Sequence, residues 1–276
     1  MTAIPREDTK SSLPVHVSIA TIPSRIGDLQ ATLHSLLCGT KVPDKIYVVH
    51  PEYCVWEKSS YQIPSFLNDA EWHRGIIEHI VCEMDWGPST KIMGVLQDLP
   101  KEAYLVIADD DVVYDEHFLE GLISAQSQSW DSSFSYHTYQ ADGLTIATGC
   151  DGLTFYAPNL DGVEEFVRTH VVGTPLLYHD DLWIAFFLFR QDVRIRQVRK
   201  PAGSNELIYT QVLPNDVLSG ASEGQFARAN IYREGIKRLR KEGGLTFPQW
   251  ITIIGRGAFG RFATRIQSLI GRIRPK

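Results

Sequence analysis

The sequence predicts an α/β fold: a mixed, mostly parallel sheet flanked by helices, followed by a basic amphipathic C-terminal tail. Three observations carry that reading. Residues 15–50 run strand, helix, strand, the unit from which parallel sheets are assembled. Tyr104–Ala108 (YLVIA) is a short continuous apolar run, the pattern of a strand covered on both faces, and three aspartates follow it at once. Charge is segregated: residues 225–276 hold 12 Lys and Arg against two acids, Glu234 and Glu242, and the first 224 residues are strongly acidic.

Taken in order, Val15–Thr21 (VHVSIAT) is apolar and β-branched and reads as the first strand, broken by Ile22-Pro23-Ser24-Arg25. Leu29, Leu33, Leu36 and Leu37 fall at helical spacing, so 28–37 reads as a helix. Lys45–His50 is the second strand, and 51–75, rich in aromatics and prolines without a period, reads as an irregular loop. Ile76–Cys82 is the third strand. The turn-rich Asp85-Trp86-Gly87-Pro88-Ser89-Thr90-Lys91 follows, with Ser89 placed to cap a helix over 90–99. Helices are expected at 115–126, 163–169 and 182–189, and strands at 133–138 and 144–148. Val193–Val198 alternates apolar and basic residues, as an exposed edge strand does.

With 276 residues, 43% hydrophobic and 22% charged, the composition excludes disordered and fibrous classes. No apolar run reaches the roughly 18–20 residues that span a bilayer, and the polar Met1–Ser12 has no secretory h-region. Cys38, Cys54, Cys82 and Cys150 form no C-x-x-C pair. They are expected to be reduced thiols, mostly buried, in a cytoplasmic protein.

The strongest chemical signal is Asp109-Asp110-Asp111. Three adjacent carboxylates repel one another, so a cation is expected among them. Alternate residues of an extended segment point the same way, which lets Asp109 and Asp111 share one hard divalent cation, Mn²⁺ or Mg²⁺. The bland alternative is a solvated acidic turn before the next helix. A second signal is His179-Asp180-Asp181 ahead of an apolar helix, where an aspartate serves either as general base or as helix cap. The third is convergence. In open α/β sheets ligands sit at the C-terminal strand ends, where the loops carrying Thr21, Pro23 and Arg25 and carrying Asp85 and Lys91 must both lie. Arg25 and Lys91 suit a diphosphate, Asp85 a base or ribose, and Trp86 stacking. Gly149 and Gly152 flank a turn whose backbone can approach a ligand closely. Gly255-Arg256-Gly257-Ala258-Phe259-Gly260 matches G-x-G-x-x-G but is a decoy, because no acidic residue follows it.

In the tail, Ile251, Ile254, Ala258, Phe262, Leu269 and Ile273 are interleaved with Arg256, Arg261, Arg265, Arg272 and Arg274. That pattern suits a helix lying in an anionic membrane interface, the alternative being a helix packed on the body. No nucleic-acid-binding motif is present, so no nucleic-acid partner is expected.

These motifs, in this order, resemble those of the GT-A fold glycosyltransferases, family 2 in particular. Asp109-Asp110-Asp111 looks like their D-x-D motif. Val17–Arg25 resembles their first strand and nucleotide loop, Asp85–Lys91 a second donor loop, and His179-Asp180-Asp181 their acidic motif. The resemblance implies a Rossmann-like GT-A catalytic domain at 14–224, between a flexible arm at 1–13 and the tail at 225–276. It further implies transfer of a sugar from a UDP- or GDP-type donor to a glycan or lipid-linked hydroxyl, in bacterial-type glycan synthesis; the basic tail adds the expectation of a peripheral place on the inner face of the membrane. Asp111 would ligate the metal. Asp109 would contact the metal or the donor, beside Asp110 in the donor site. Asp181 would be the base if the enzyme inverts, with Asp180 the runner-up. The further histidine ligand of some members would be absent or His179. Two rivals remain: a haloacid dehalogenase-like phosphohydrolase using Asp109 and Asp111, and a non-catalytic nucleotide-sugar-binding scaffold.

Overall fold

The computed structural model describes residues 13–212 and 223–257, with side chains from 232 onward in the second stretch. The expected arm at 1–13 and the end of the expected tail therefore lie almost wholly outside the described residues.

The chain opens with β1 (Val15–Ala20), α1 (Gln30–Leu37) and β2 (Lys45–Pro51). The expected loop at 51–75 holds a two-residue bridge, β3 (Tyr53–Cys54) with β4 (Ser59–Ser60), and the single turn α2 (Ala70–His73). Next come β5 (Ile77–Cys82), α3 (Thr90–Met93), β6 (Tyr104–Ala108), β7 (Val112–Tyr114) and α4 (Phe118–Gln126). Then follow β8 (Ser132–Ser135), β9 (Thr138–Ala141), β10 (Leu144–Ala147), β11 (Leu153–Tyr156), α5 (Val163–His170) and α6 (Asp180–Arg190). β12 (Arg194–Gln197), β13 (Tyr209–Gln211) and α7 (Glu223–Glu242) follow, and 247–257 is helical.

The central sheet has the order β11-β6-β1-β2-β5, with β6, β1, β2 and β5 parallel and β11 antiparallel against β6. Period-two alternation explains why its strands read as continuous apolar runs. Val17, Ile19, Ile46, Val48 and Val106 face one layer, where α1 and α4 add Leu33, Leu36, Phe118 and Leu122. Tyr47, Val49, Leu105 and Ile107 face the other, where α5 and α6 add Phe166, Trp183 and Phe186. α6 is buried at eight of its eleven positions, so its all-round apolar sequence is that of a core helix.

Four expectations are corrected. The helix expected over 90–99 stops at Met93 and continues as i→i−3 turns, with Val95 N donating to Ile92 O and Asp98 N to Val95 O. Ser89 supplies no side-chain cap, because its hydroxyl accepts from Trp183 Nε1 at 3.0 Å. The strand expected at 133–138 divides into β8 and β9. β11, hidden behind the 149–152 turn, was not expected, yet it completes one edge of the main sheet. β12 is exposed as expected and pairs in parallel with β8. The cysteines are free, but only Cys54 is buried.

His50 and His79 meet at 2.6 Å between their Nε2 atoms. His50 Nδ1 lies 2.6 Å from Pro51 O, so that nitrogen donates and His50 Nε2 accepts from His79. Burial lowers both pKa values below 6.5. Groups depressed in the fold give stability that is present above the unfolded value and lost as pH falls through the folded one. The urea midpoint is therefore expected to drop between pH 7.5 and 5.5, and His50→Gln/His79→Gln to flatten that drop. An equally steep drop in the double variant would show that the pair is not its source.

Candidate functional site

The C-terminal ends of β1, β5 and β6 deliver three loops to one edge of the sheet, and the N-terminus of α6 meets them there. β6 ends at Ala108, and the three aspartates that follow divide between two cations, Arg25 and Lys91. Asp110 turns inward and is buried. It accepts from Thr21 Oγ1 at 2.8 Å and from Arg25 Nη1 at 2.9 Å. Burial raises its pKa to about 6 against the opposing pull of Arg25. The same Arg25 Nη1 reaches Asp111 Oδ2 at 3.1 Å. Burial disfavours the Arg25 charge, yet Asp110 and Asp111 more than offset that and hold its pKa above the usual value. Pro23 shapes this loop: it is the second residue of a turn closed by Arg25 N donating to Ile22 O at 3.0 Å.

Asp109 belongs to a second ion cluster. Lys91 Nζ donates to Asp109 Oδ1 at 2.8 Å and stands 3.3 Å from Asp180 Oδ2. The lysine side chain is 8% exposed. Burial alone would lower its pKa, but Asp109, Asp180 and Asp181 raise it well above the ordinary lysine range. The two carboxylates are not held alike. Asp180 Oδ2 is buried and accepts no hydrogen bond, so its 3.3 Å approach is charge proximity without donor geometry. Asp181, one residue on, is half-exposed. The cation expected among the aspartates is thus supplied in part by the chain itself, Arg25 for Asp110 and Asp111 and Lys91 for Asp109.

The structure places the other expected residues as follows. Both Asp85 oxygens accept backbone N–H groups, Val55 N and Gly87 N, each at 2.7 Å, so Asp85 clips two loops together. Trp86 is 5% exposed and lies in the core, with the Arg168 guanidinium 4.7 Å over its ring. The stacking face expected for a ligand is taken by the protein. Gly149 borders the acidic cluster: a Cβ there would lie 3.1–3.2 Å from both carboxylate oxygens of Asp109. Gly152 faces the core instead, with φ +70° and Phe118 Cζ 2.6 Å from where a Cβ would sit. The His179 ring stands edge-on to Tyr232 at 5.5 Å. It does not join Asp109 and Asp111 in a shared ligand set: among the described residues no group of three or more His, Cys, Asp or Glu is gathered to hold a metal ion.

Three supports escaped the sequence reading. Tyr114 OH accepts the Asp109 backbone N–H at 2.8 Å. Tyr61 OH donates to Thr21 O at 3.0 Å while its ring stacks on His50 at 4.0 Å. Glu57 accepts from Ser24 N at 2.9 Å. No spacing rule marks them, because each acts from a neighbouring element or loop.

The donor chemistry fits a divalent cation only in part. Asp109 and Asp111 are hard oxygen ligands, and Gly149 leaves room beside Asp109. Two carboxylates completed by substrate phosphates make an ordinary Mg²⁺ or Mn²⁺ site.

No protein-family model matches the chain, and no curated protein sequence matches it. Among solved structures the chain is similar to the mannosyltransferase PcManGT from Pyrobaculum calidifontis, solved in complex with GDP-Man and Mn²⁺. The TM-score is 0.56 at 14% identity, over 93% of this chain and 76% of that one. At that identity the likeness speaks to architecture alone: the two share a mixed α/β fold, here built on a mostly parallel five-stranded sheet.

Proposed function

We propose that the chain is a nucleotide-sugar glycosyltransferase whose donor diphosphate lies between Arg25 and Lys91. One observation carries the proposal. Two buried cations and four carboxylates (Asp109, Asp110, Asp111 and Asp180) meet at the C-terminal edge of the parallel strands, where α/β folds bind their ligands. The fold shared with a mannosyltransferase solved in complex with GDP-Man makes a GDP-sugar the first donor to test.

The acceptor hydroxyl oxygen bonds to the anomeric carbon as the bond from that carbon to the diphosphate oxygen breaks. The nucleoside diphosphate departs with the electron pair. Arg25 and Lys91 are fixed in place before the charge develops, so they stabilise it without reorganising. In an inverting displacement the acceptor proton passes to Asp181, the more exposed of the two α6 aspartates. Asp180, buried against Lys91, positions that lysine. A divalent cation, Mn²⁺ or Mg²⁺, bound through Asp111 and Asp109 would add charge neutralisation at the same diphosphate.

A ligand that binds only the folded state raises the melting midpoint. GDP-mannose, with UDP-, CDP- and dTDP-sugars beside it, is expected to give a shift for one base that grows with Mn²⁺. Asp111→Asn is expected to remove the Mn²⁺-dependent part while its ligand-free midpoint stays near the parent's. No shift with any nucleotide sugar would overturn the proposal.

A further inference from the structure

The helical segment 247–257 has two unlike faces. Its inward face is anchored to the body. Ile253 is fully buried in the main core cluster. Gln249 Nε2 donates to Arg190 O and to Asp192 Oδ1, each at 2.9 Å, and Gln249 Oε1 accepts from Thr246 N at 3.1 Å. Thr246-Phe247-Pro248-Gln249 is thus half of a capping box, which fixes where the helix begins and how it is rotated. The outward face carries Phe247, Trp250 and Ile251, exposed at 73%, 45% and 50%. The spacing i, i+3, i+4 makes them one contiguous stripe. A buried anchor opposite a row of exposed apolar side chains, two of them aromatic, means that the stripe is presented and not merely left over.

We infer that this stripe docks on an anionic lipid surface. Charge complementarity selects that occupant. Arg256 is exposed at the end of the described helix, and the remaining sequence adds Arg261, Arg265, Arg272, Arg274 and Lys276 with no acidic residue after Glu242. Apolar side chains at the headgroup boundary, reinforced by several basic residues, make an interfacial anchor. Among the described residues no helix is long and apolar enough to cross a membrane, so the segment would lie on the surface. The sequence pattern pointed to this tail through Ile251 and Ile254. Ala258, Phe262, Leu269 and Ile273 of that pattern lie outside the described residues; within them the exposed apolar stripe is Phe247, Trp250 and Ile251, with Ile254 partly covered by the core.

The test uses the full chain and flotation with vesicles of phosphatidylcholine plus phosphatidylglycerol, and of phosphatidylcholine alone. Binding reads no catalysis, so this inference and the transferase proposal fail separately. The parent protein is expected to float with the anionic vesicles and to be released by high salt. Phe247→Gln/Trp250→Gln/Ile251→Gln is expected to lower that partitioning at least about tenfold, with an unchanged melting midpoint because all three side chains are already exposed. Trp250→Phe is expected to abolish a blue shift of tryptophan emission seen on vesicle addition. Unchanged partitioning of the triple variant would overturn the inference. So would a parent that ignores anionic vesicles, or a parent dimer that the triple variant converts to monomer, since the face would then be an interface between copies.

Discussion

Lys91→Met is expected to cost about 3 kcal/mol of folding stability and to lower the transfer rate by about 10²–10³-fold. The two losses have different origins. Lys91 is 8% exposed, and Asp180 beside it is 12% exposed with one oxygen that accepts no hydrogen bond. Removing the ammonium leaves a buried carboxylate without its opposite charge, and breaking one half of a buried pair costs more than removing both halves. Asp109, 28% exposed, recovers part of its loss through water, which places the estimate at the low end of the usual range. On the proposed mechanism the rate loss follows from removing a fixed cation where the diphosphate charge would develop. Lys91→Met/Asp180→Asn separates the two: stability should return toward the parent value while transfer stays low. Urea melts and initial rates with the donor found by thermal shift measure both. A single variant as stable as the parent would show that the Lys91 cluster does not support the fold. Lys91→Arg is not a conservative control, because a planar fork does not fill the place of a point charge between two carboxylates.

The central sheet was legible in the sequence because doubly covered parallel strands are short, apolar and bounded by turns. VHVSIAT, KIYVVH and YLVIA each became a strand within one residue of the expected limits. α6 was equally plain, since few soluble segments are apolar on every side. The failures share one cause, which is tertiary partnership. Ser89 looked like a cap, but Trp183, 94 residues away, takes its hydroxyl. Trp86 looked like a ligand platform, but Arg168 and the core enclose it. β11 is four residues long, and it is a strand because β6 offers an edge to pair with. At the site, sequence brought the charged loops to one strand edge but did not foresee which of their residues pair with one another. Adjacent carboxylates suggested a metal, while the structure shows Arg25 and Lys91, 85 and 18 residues from their partners, already holding them. No local pattern encodes a pairing between loops that only the sheet brings together.

The α6 aspartates are expected to respond oppositely in stability and rate. Asp181→Asn should lower the transfer rate by about 10²–10⁴-fold, the usual contribution of a positioned base, and leave the melting midpoint near that of the parent. Its side chain is half-exposed at the first turn of the helix, so the amide keeps its shape and solvation while giving up the proton acceptor. Asp180→Asn acts through its neighbour. It removes one of the carboxylates that hold Lys91 charged in a buried site, so the lysine relies on Asp109 and on the more distant Asp181. The midpoint should change, and the donor affinity with it, because the cation proposed to face the diphosphate is less firmly fixed. The measurements are donor affinity, maximal rate at saturating donor, and the midpoint of each variant. A base shows as a fall in rate with donor affinity intact; a positioning residue shows as a fall in affinity and a shifted midpoint. If Asp181→Asn retains the full rate and Asp180→Asn loses it with affinity unchanged, the assignments exchange. The proton acceptor would then be the carboxylate whose buried Oδ2 accepts no hydrogen bond in the unliganded chain, leaving that oxygen open to an acceptor hydroxyl.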